Sequence, residues 1–266
     1  MTQSAPRIAV FDSGIGGLSV LSELQKHLPH FEYHYYFDNA FFPYGTKSDE
    51  MLTKRLEELM PTLVKHGSAD LLVIACNTAS TLLNLENLRK NLHIPVVAVV
   101  PAVKPAAQIS KTKVIGILAT EATVRRPYTD SLIQQFASHC EVVKVGSRKL
   151  VDIAEAKIRG QSYSLESIKE ELSPFFQRQD LDVVVLACTH FDHLREDFEK
   201  LASHPIRWFS SANAIAERVK FLTKAFSSSS SILNHRIVST KEQAFDEATL
   251  KSLFKTYGFK VSSSFF

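Results

Sequence analysis

The stretches LLVIACNTA (residues 71–79) and VVVLACTHF (residues 183–191) are the same device written twice. Each is a wholly apolar strand that closes on alanine and cysteine and then turns polar. Working outward, short apolar runs recur along the chain, each followed by a polar or glycine-containing loop and then by helical spacing. This is the βα alternation of a parallel sheet. Strands are predicted at Ile8–Phe11, Tyr33–Phe37, Leu71–Ala75 and Val96–Val100, and the pattern restarts at Val114–Ala119, Val142–Val145 and Val183–Ala187. Leu18, Leu21, Leu24 and Leu28 mark one helical face, closed by Pro29, and Leu132, Ile133 and Phe136 belong to another helix. Leu52, Leu56, Leu59 and Leu63 mark a third, which Pro61 is expected to kink or shorten. Two further helical stretches precede Val183.

The restart predicts an α/β protein of two similar lobes, each a mostly parallel sheet flanked by helices, with the active site in the cleft between them. Residues 1–99 plus 211–266 form the first lobe, with Asp12 and Cys76. Residues 100–210 form the second, with Cys188 and His190. The five-serine run Ser227–Ser231 reads as a surface linker or loop. Beyond it, Arg236–Ser239 is β-like and Leu250, Leu253 and Phe254 have helical spacing, so the tail is expected to pack back on a lobe.

With 266 residues, 45% of them hydrophobic and 22% charged, the chain falls among ordinary globular proteins, which argues against disorder or a fibrous repeat. Its net charge of +3 comes from basic and acidic residues spread along the sequence, giving no concentrated field for nucleic acid or a membrane. A small-molecule partner is expected. No apolar run approaches a spanning helix and the first ten residues lack the apolar core of a signal peptide, which places the protein in the cytoplasm. Three scattered cysteines, at 76, 140 and 188, make no disulfide framework, so each is read as a thiol.

Ligands of parallel sheets bind beyond the carboxyl ends of strands. Those ends carry Asp12-Ser13, Cys76-Asn77-Thr78, Thr120 to Thr123, and Cys188-Thr189-His190. A lone cysteine is most often a small buried hydrophobe, and Cys140, without polar company, is read that way. Cys76 and Cys188 are different, because equivalent strand ends would place both at helix N-termini, where the dipole lowers a thiol pKa from about 8.5. The loop FDSGIGG resembles a dinucleotide fingerprint, with Asp38 as the ribose carboxylate, but the sixth position from Gly14 is Ser19. Asp12 would also set a negative charge beside the pyrophosphate. Gly14, Gly16 and Gly17 are therefore read as turn and packing residues that free Asp12 and Ser13 for the cleft. Cys76, Cys188, His190 and a carboxylate could also ligate zinc, although no close-spaced ligand pair supports that. Pro43-Tyr44-Gly45 is by itself a turn signal.

Taken together and in order, FDSGIGGLSVL, PYG, ACNTAS, VVPAVKPA, GILAT, LVDIAEAKIRG and ACTHF resemble the motif set of glutamate racemases over about residues 7–220. The resemblance implies that Cys76 and Cys188 are the two acid/base residues, one for each face of the substrate's α-carbon. It implies that Asp12, Glu155 and His190 tune or orient the thiols. Asp12, Ser13, Pro43, Tyr44 and Gly45 become substrate contacts, as do Asn77, Thr78, Thr123, Thr189 and His190. It further implies no metal, no pyridoxal phosphate or other cofactor, a homodimer, and D-glutamate made for peptidoglycan. Some family members respond to a cell-wall precursor or inhibit DNA gyrase. Two departures stand out: Asp192 where relatives carry proline, and Ser210 where they carry aspartate. An aspartate racemase of the same family and a non-catalytic amino-acid binding protein are the rival readings.

Inverting a stereocentre by proton transfer needs a base on one face and an acid on the other. Thiols suit both roles because they titrate near neutrality, so the reverse reaction only exchanges them. An anionic neighbour raises a thiol pKa, so Asp12 and Glu155 are expected to orient their cysteine or accept its proton.

Overall fold

The computed structural model describes residues 5–226, 233–241, 248–259 and 264–265. Two compact units share the chain: Met1–Val99 with Ala212–Phe266, and Val100–Ser211. Ser211 stays with the second unit, where its hydroxyl donates to the Val100 carbonyl at 2.9 Å.

Four strands build the heart of the first unit: β1 (Arg7–Asp12), β2 (Glu32–Phe37), β3 (Leu71–Ile74) and β4 (Val96–Ala98). The second unit has β5 (Val114–Ala119), β6 (Glu141–Gly146), β7 (Val183–Ala187) and β8 (Arg207–Ser210). The chain then returns to the first unit with β9 (Arg236–Ser239) and β10 (Ser264–Phe265). The first sheet runs β10-β9-β2-β1-β3-β4 and the second β6-β5-β7-β8, with every described pairing parallel. The order 2-1-3-4 thus recurs as 6-5-7-8, and the repeated sequence device is a repeated topology.

In both sheets the chain crosses from one side of the first strand to the other before the cysteine-bearing strand. The crevices beside β1/β3 and β5/β7 are therefore topological switch points, where the carboxyl ends of parallel strands leave room for ligands. Phe11 pairs with Ile74 and Leu118 with Leu186, so Cys76 and Cys188 emerge at corresponding positions. The residues of β3, β5 and β7 are buried throughout, which explains their unbroken apolar sequence.

Three sequence expectations need amendment. The helix Asp49–Gly67 runs through Pro61. Pro61 and Glu57 both lie on its exposed face, where water can satisfy the carbonyl that the missing N–H leaves free. Three helices, not two, precede β7: Lys149–Ile158, Leu165–Glu171 and Ser173–Phe176. The edge strand β8 went unread because RWFS has no alternating or continuous apolar pattern. In the tail, β9 pairs with β2, and the helix Ala248–Thr256 buries Leu250 and Phe254. The serine run Ser227–Ser231 lies outside the described residues.

Candidate active site

In the first unit, β1 delivers the fully buried Asp12 to the switch point. Its carboxylate accepts the Ser13 backbone N–H at 2.6 Å, the Ser13 hydroxyl at 3.3 Å and the Gly17 backbone N–H. The glycine loop therefore wraps a carboxylate supplied by the protein itself, in the place a dinucleotide-binding loop offers to phosphate. A Cβ at Gly17 would stand 2.8 Å from Asp12 Cβ and 2.9 Å from the Tyr35 hydroxyl, which is why this position is glycine. The second half of the dinucleotide reading fails too, since Asp38 is occupied by Tyr44, Arg55 and Thr240.

Cys76 caps the helical turn Asn77–Ser80, and its sulfur lies 3.5 Å from the Ser13 hydroxyl. Asp12, Ser13 and Cys76 thus form one buried chain. Asn77 and Thr78 are buried beside it, and among the described residues Asn77 Oδ1 has no hydrogen-bond partner. A buried amide oxygen left in that state is costly unless a ligand completes it. Pro43 leads into the turn Tyr44–Thr46, where Tyr44 is buried and donates its hydroxyl to Asp38 at 2.7 Å. Burial, the Asp38 carboxylate and the nearby Cys76 all hold the Tyr44 phenol protonated, against a weaker pull from Arg55.

The second unit equips its thiol differently. Cys188 Sγ lies 3.9 Å from His190 Nδ1, and His190 Nε2 lies 2.8 Å from Glu155 Oε1. Glu155 stands on the helix Lys149–Ile158, and one turn later Arg159 reaches back to its other oxygen with Nε and Nη2, each at 3.2 Å. Burial pulls the His190 pKa down, but hydrogen bonds and charge from Cys188 and Glu155 outweigh it and raise the pKa well above 6.5. Burial pushes Glu155 upward; His190 and Arg159 reverse that, and its pKa ends below 4.5. An imidazolium between the Cys188 sulfur and the Glu155 carboxylate is the charge state this geometry favours for His190. Thr189 is buried next to Cys188. Thr123 is buried too, 2.9 Å from the Thr120 hydroxyl, on the short helix Glu121–Arg125.

The expected helix dipoles contribute little. Cys76 precedes only the four residues Asn77–Ser80, and Cys188 precedes the 3-10 segment Thr189–Leu194, too few aligned peptides for a substantial macrodipole. The two departures prove to be partners: Ser210 donates to Asp192 at 2.7 Å, and Arg195 reaches its other oxygen at 3.2 Å. The Cys188 loop is thereby tied to β8. Among the described residues no group of three or more His, Cys, Asp or Glu side chains is placed to hold a metal ion. Cys140 is half-buried against the apolar cluster around Val103 and Ile115.

Arg55, Arg159 and Thr240 were not singled out from the sequence. Arg159 had a usable signal, lying one helical turn after Glu155; the other two meet Asp38 only through tertiary pairing.

Residues 18–219 match the Asp/Glu/Hydantoin racemase family. The glutamate racemase of Histophilus somni is 44% identical over 248 residues, covering 93% of this chain and 92% of that one. That of Vibrio vulnificus is 45% identical over 260 residues, covering 98% and 97%. A crystal structure of Escherichia coli glutamate racemase with L-glutamate and the activator UDP-MurNAc-ala superposes with a TM-score of 0.89 at 37% identity, covering 98% and 97%. The RacE1 isoform of Bacillus anthracis glutamate racemase gives 0.82 at 26% identity, covering 99% and 97%. The repeated Ala-Cys strand ends, their polar partners and these similarities have one reading: the chain belongs to the Asp/Glu/Hydantoin racemase family.

Proposed function

We propose that this protein is a glutamate racemase that interconverts L- and D-glutamate with its own side chains alone and supplies D-glutamate for peptidoglycan. The observation that carries the reading is the recurrence of a buried thiol at the same switch point of two sheets, each beside a group able to manage its proton. One thiolate removes the α-hydrogen as a proton, leaving its electron pair on the α-carbon. The other thiol delivers a proton to the opposite face, and in the reverse direction the roles exchange.

Asp12 with Ser13, and Glu155 with His190, orient Cys76 and Cys188 and hold their charge states. The substrate contacts are Ser13, Asn77 and Thr78 with Pro43, Tyr44 and Gly45 from the first unit, and Thr123, Thr189 and His190 from the second. Donors already fixed in position stabilise the developing carbanion charge on the α-carboxylate without reorganisation. The similarity to glutamate racemases over nearly the whole chain favours glutamate over aspartate as substrate. We further read the protein as a cytoplasmic homodimer, with a cell-wall precursor as its activator by analogy with the E. coli enzyme.

Incubating the protein with L-glutamate or L-aspartate in deuterium oxide, with no cofactor added, tests the proposal. Loss of optical activity together with deuterium at Cα identifies the substrate. Cys76→Ala and Cys188→Ala should each abolish racemisation while keeping the fold, and parent-rate racemisation by either variant would refute the two-thiol assignment.

A further inference from the structure

Asp38 follows β2 and is fully buried, yet it belongs to no part of the proton-transfer chains above. Four donors converge on it. The Tyr44 hydroxyl reaches Oδ2 at 2.7 Å, Arg55 Nε the same oxygen at 3.0 Å, Arg55 Nη2 reaches Oδ1 at 2.8 Å, and the Thr240 hydroxyl Oδ1 at 2.6 Å. A carboxylate offers about four lone-pair directions, so Asp38 is saturated by the protein.

The donors come from three segments: Tyr44 and Arg55 lie 6 and 17 residues on, and Thr240 lies 202 residues away. Thr240 immediately follows β9, which pairs with β2 in register Phe37↔Ser239. Its N–H donates to the Phe37 carbonyl at 3.2 Å, and its hydroxyl accepts the Ala40 N–H at 3.2 Å while donating to Asp38. Arg55 rises from the helix Asp49–Gly67 with its guanidinium 4.7 Å from the centre of the Phe41 ring. At the far end of this network Tyr44 shares a buried cluster with Cys76, Phe11 and Ala79, its ring 6.5 Å from that of Phe11. Because Tyr44 spends its only hydroxyl proton on Asp38, its oxygen can act toward a ligand only as an acceptor.

We propose that Asp38, Arg55 and Thr240 form a positioning clamp through which the C-terminal segment fixes the Tyr44-Gly45 turn against Cys76, and so governs one of the two half-reactions. The clamp deepens the two-thiol reading and rests on it. A buried ion pair is a poor source of net stability but an effective means of fixing one arrangement. Here the fixed arrangement is the wall beside a single thiol, within a single unit.

The test uses Thr240→Val, which keeps the side chain's shape and removes the hydroxyl, Thr240→Ser, which restores it, and Arg55→Lys, which breaks the paired contact. Iodoacetamide labelling of the intact protein, resolved by peptide mass spectrometry, compares Cys76 with Cys188 as an internal control. Losing a hydrogen bond to a charged group should raise the Cys76-to-Cys188 labelling ratio about tenfold in T240V and R55K, and T240S should return it to the parent value. With glutamate, kcat/KM should fall by a similar factor in both directions, as the equilibrium requires. The primary deuterium isotope effect should rise for the enantiomer deprotonated by Cys76 and shrink for the other. An unchanged labelling ratio in both variants, or equal acceleration at both cysteines with a lowered melting temperature, overturns the clamp. If the parent protein racemises neither amino acid, the reading on which the clamp rests fails instead, and the labelling ratio still reports whether the clamp exists.

Discussion

Replacing Glu155 by glutamine keeps the shape of the side chain and removes its charge. In the parent, Glu155 Oε1 receives His190 Nε2 at 2.8 Å, and both side chains are well buried. Hydrogen bonds that involve a charged group contribute about 1.5–3 kcal/mol. Removing the charge should therefore cost roughly ten- to hundredfold in kcat/KM at neutral pH, provided the imidazolium is required beside Cys188. The direction on the pH axis follows from the same contact. Burial pulls the His190 pKa down while Cys188 and Glu155 hold it well above 6.5, so deleting the Glu155 charge lets His190 lose its proton at lower pH. The alkaline limb of the kcat/KM profile should move toward neutrality, and KM should change less than kcat. Circular dichroism follows racemisation directly, and the full profile can be collected for both enantiomers. A Glu155→Gln enzyme with the parent's alkaline limb and rate would refute the view that Glu155 acts on Cys188 through His190.

Stability should carry the mark of the same pair. Glu155, depressed below 4.5, contributes stability above that pH that is lost as pH falls through its folded pKa; His190, raised above 6.5, contributes below 6.5 and loses it as pH rises through its folded pKa. The melting-temperature gap between parent and Glu155→Gln should be widest between pH 4.5 and 6.5 and narrow on either side. Gly17→Ala should cost about 1–3 kcal/mol in denaturant unfolding, because its Cβ meets Asp12 Cβ and the Tyr35 hydroxyl at under 3 Å. It should also slow racemisation, since the displaced group is the Asp12 carboxylate beside Ser13 and Cys76. Cys140→Ser should leave kcat and KM at parent values, because this thiol packs on an apolar cluster and precedes β6, at the opposite end of the parallel sheet from Cys188.

The parts of the fold that could be read from sequence are those whose physics is local or repeated. The cores of β3, β5 and β7 are buried on both faces, so they appear as uninterrupted apolar runs, and the Ala-Cys ends could be matched letter by letter. The edge strand β8 buries only Trp208 fully, so RWFS gives no periodic signal. Pro61 misled because a proline's cost depends on what its helix face meets, and this one meets water. The clamp at Asp38 lay beyond reach for another reason: its Thr240 partner stands 202 residues away and is brought in by a strand pairing that no local pattern announces. At the site, the glycine loop could be read correctly only by asking where the charge of Asp12 would go. The structure answers that the loop's own amides receive it.

The repeat supplies symmetry of position but not of chemistry. Cys76 faces a neutral hydroxyl backed by a carboxylate, whereas Cys188 faces an imidazole backed by a carboxylate and an arginine. An imidazolium stabilises a neighbouring thiolate, while a serine hydroxyl offers only a neutral hydrogen bond. Cys188 is therefore served by a charged partner and Cys76 through a neutral hydroxyl, so the two half-reactions differ. The enantiomer deprotonated by Cys188 and the one deprotonated by Cys76 then start from chemically different bases. Equilibrium fixes the ratio of kcat/KM for the two directions but not kcat itself, so the maximal rates should differ. His190→Asn should reduce that difference by removing the group that tells the two sulfurs apart, and a variant that retained the parent's directional bias would show that the asymmetry arises elsewhere.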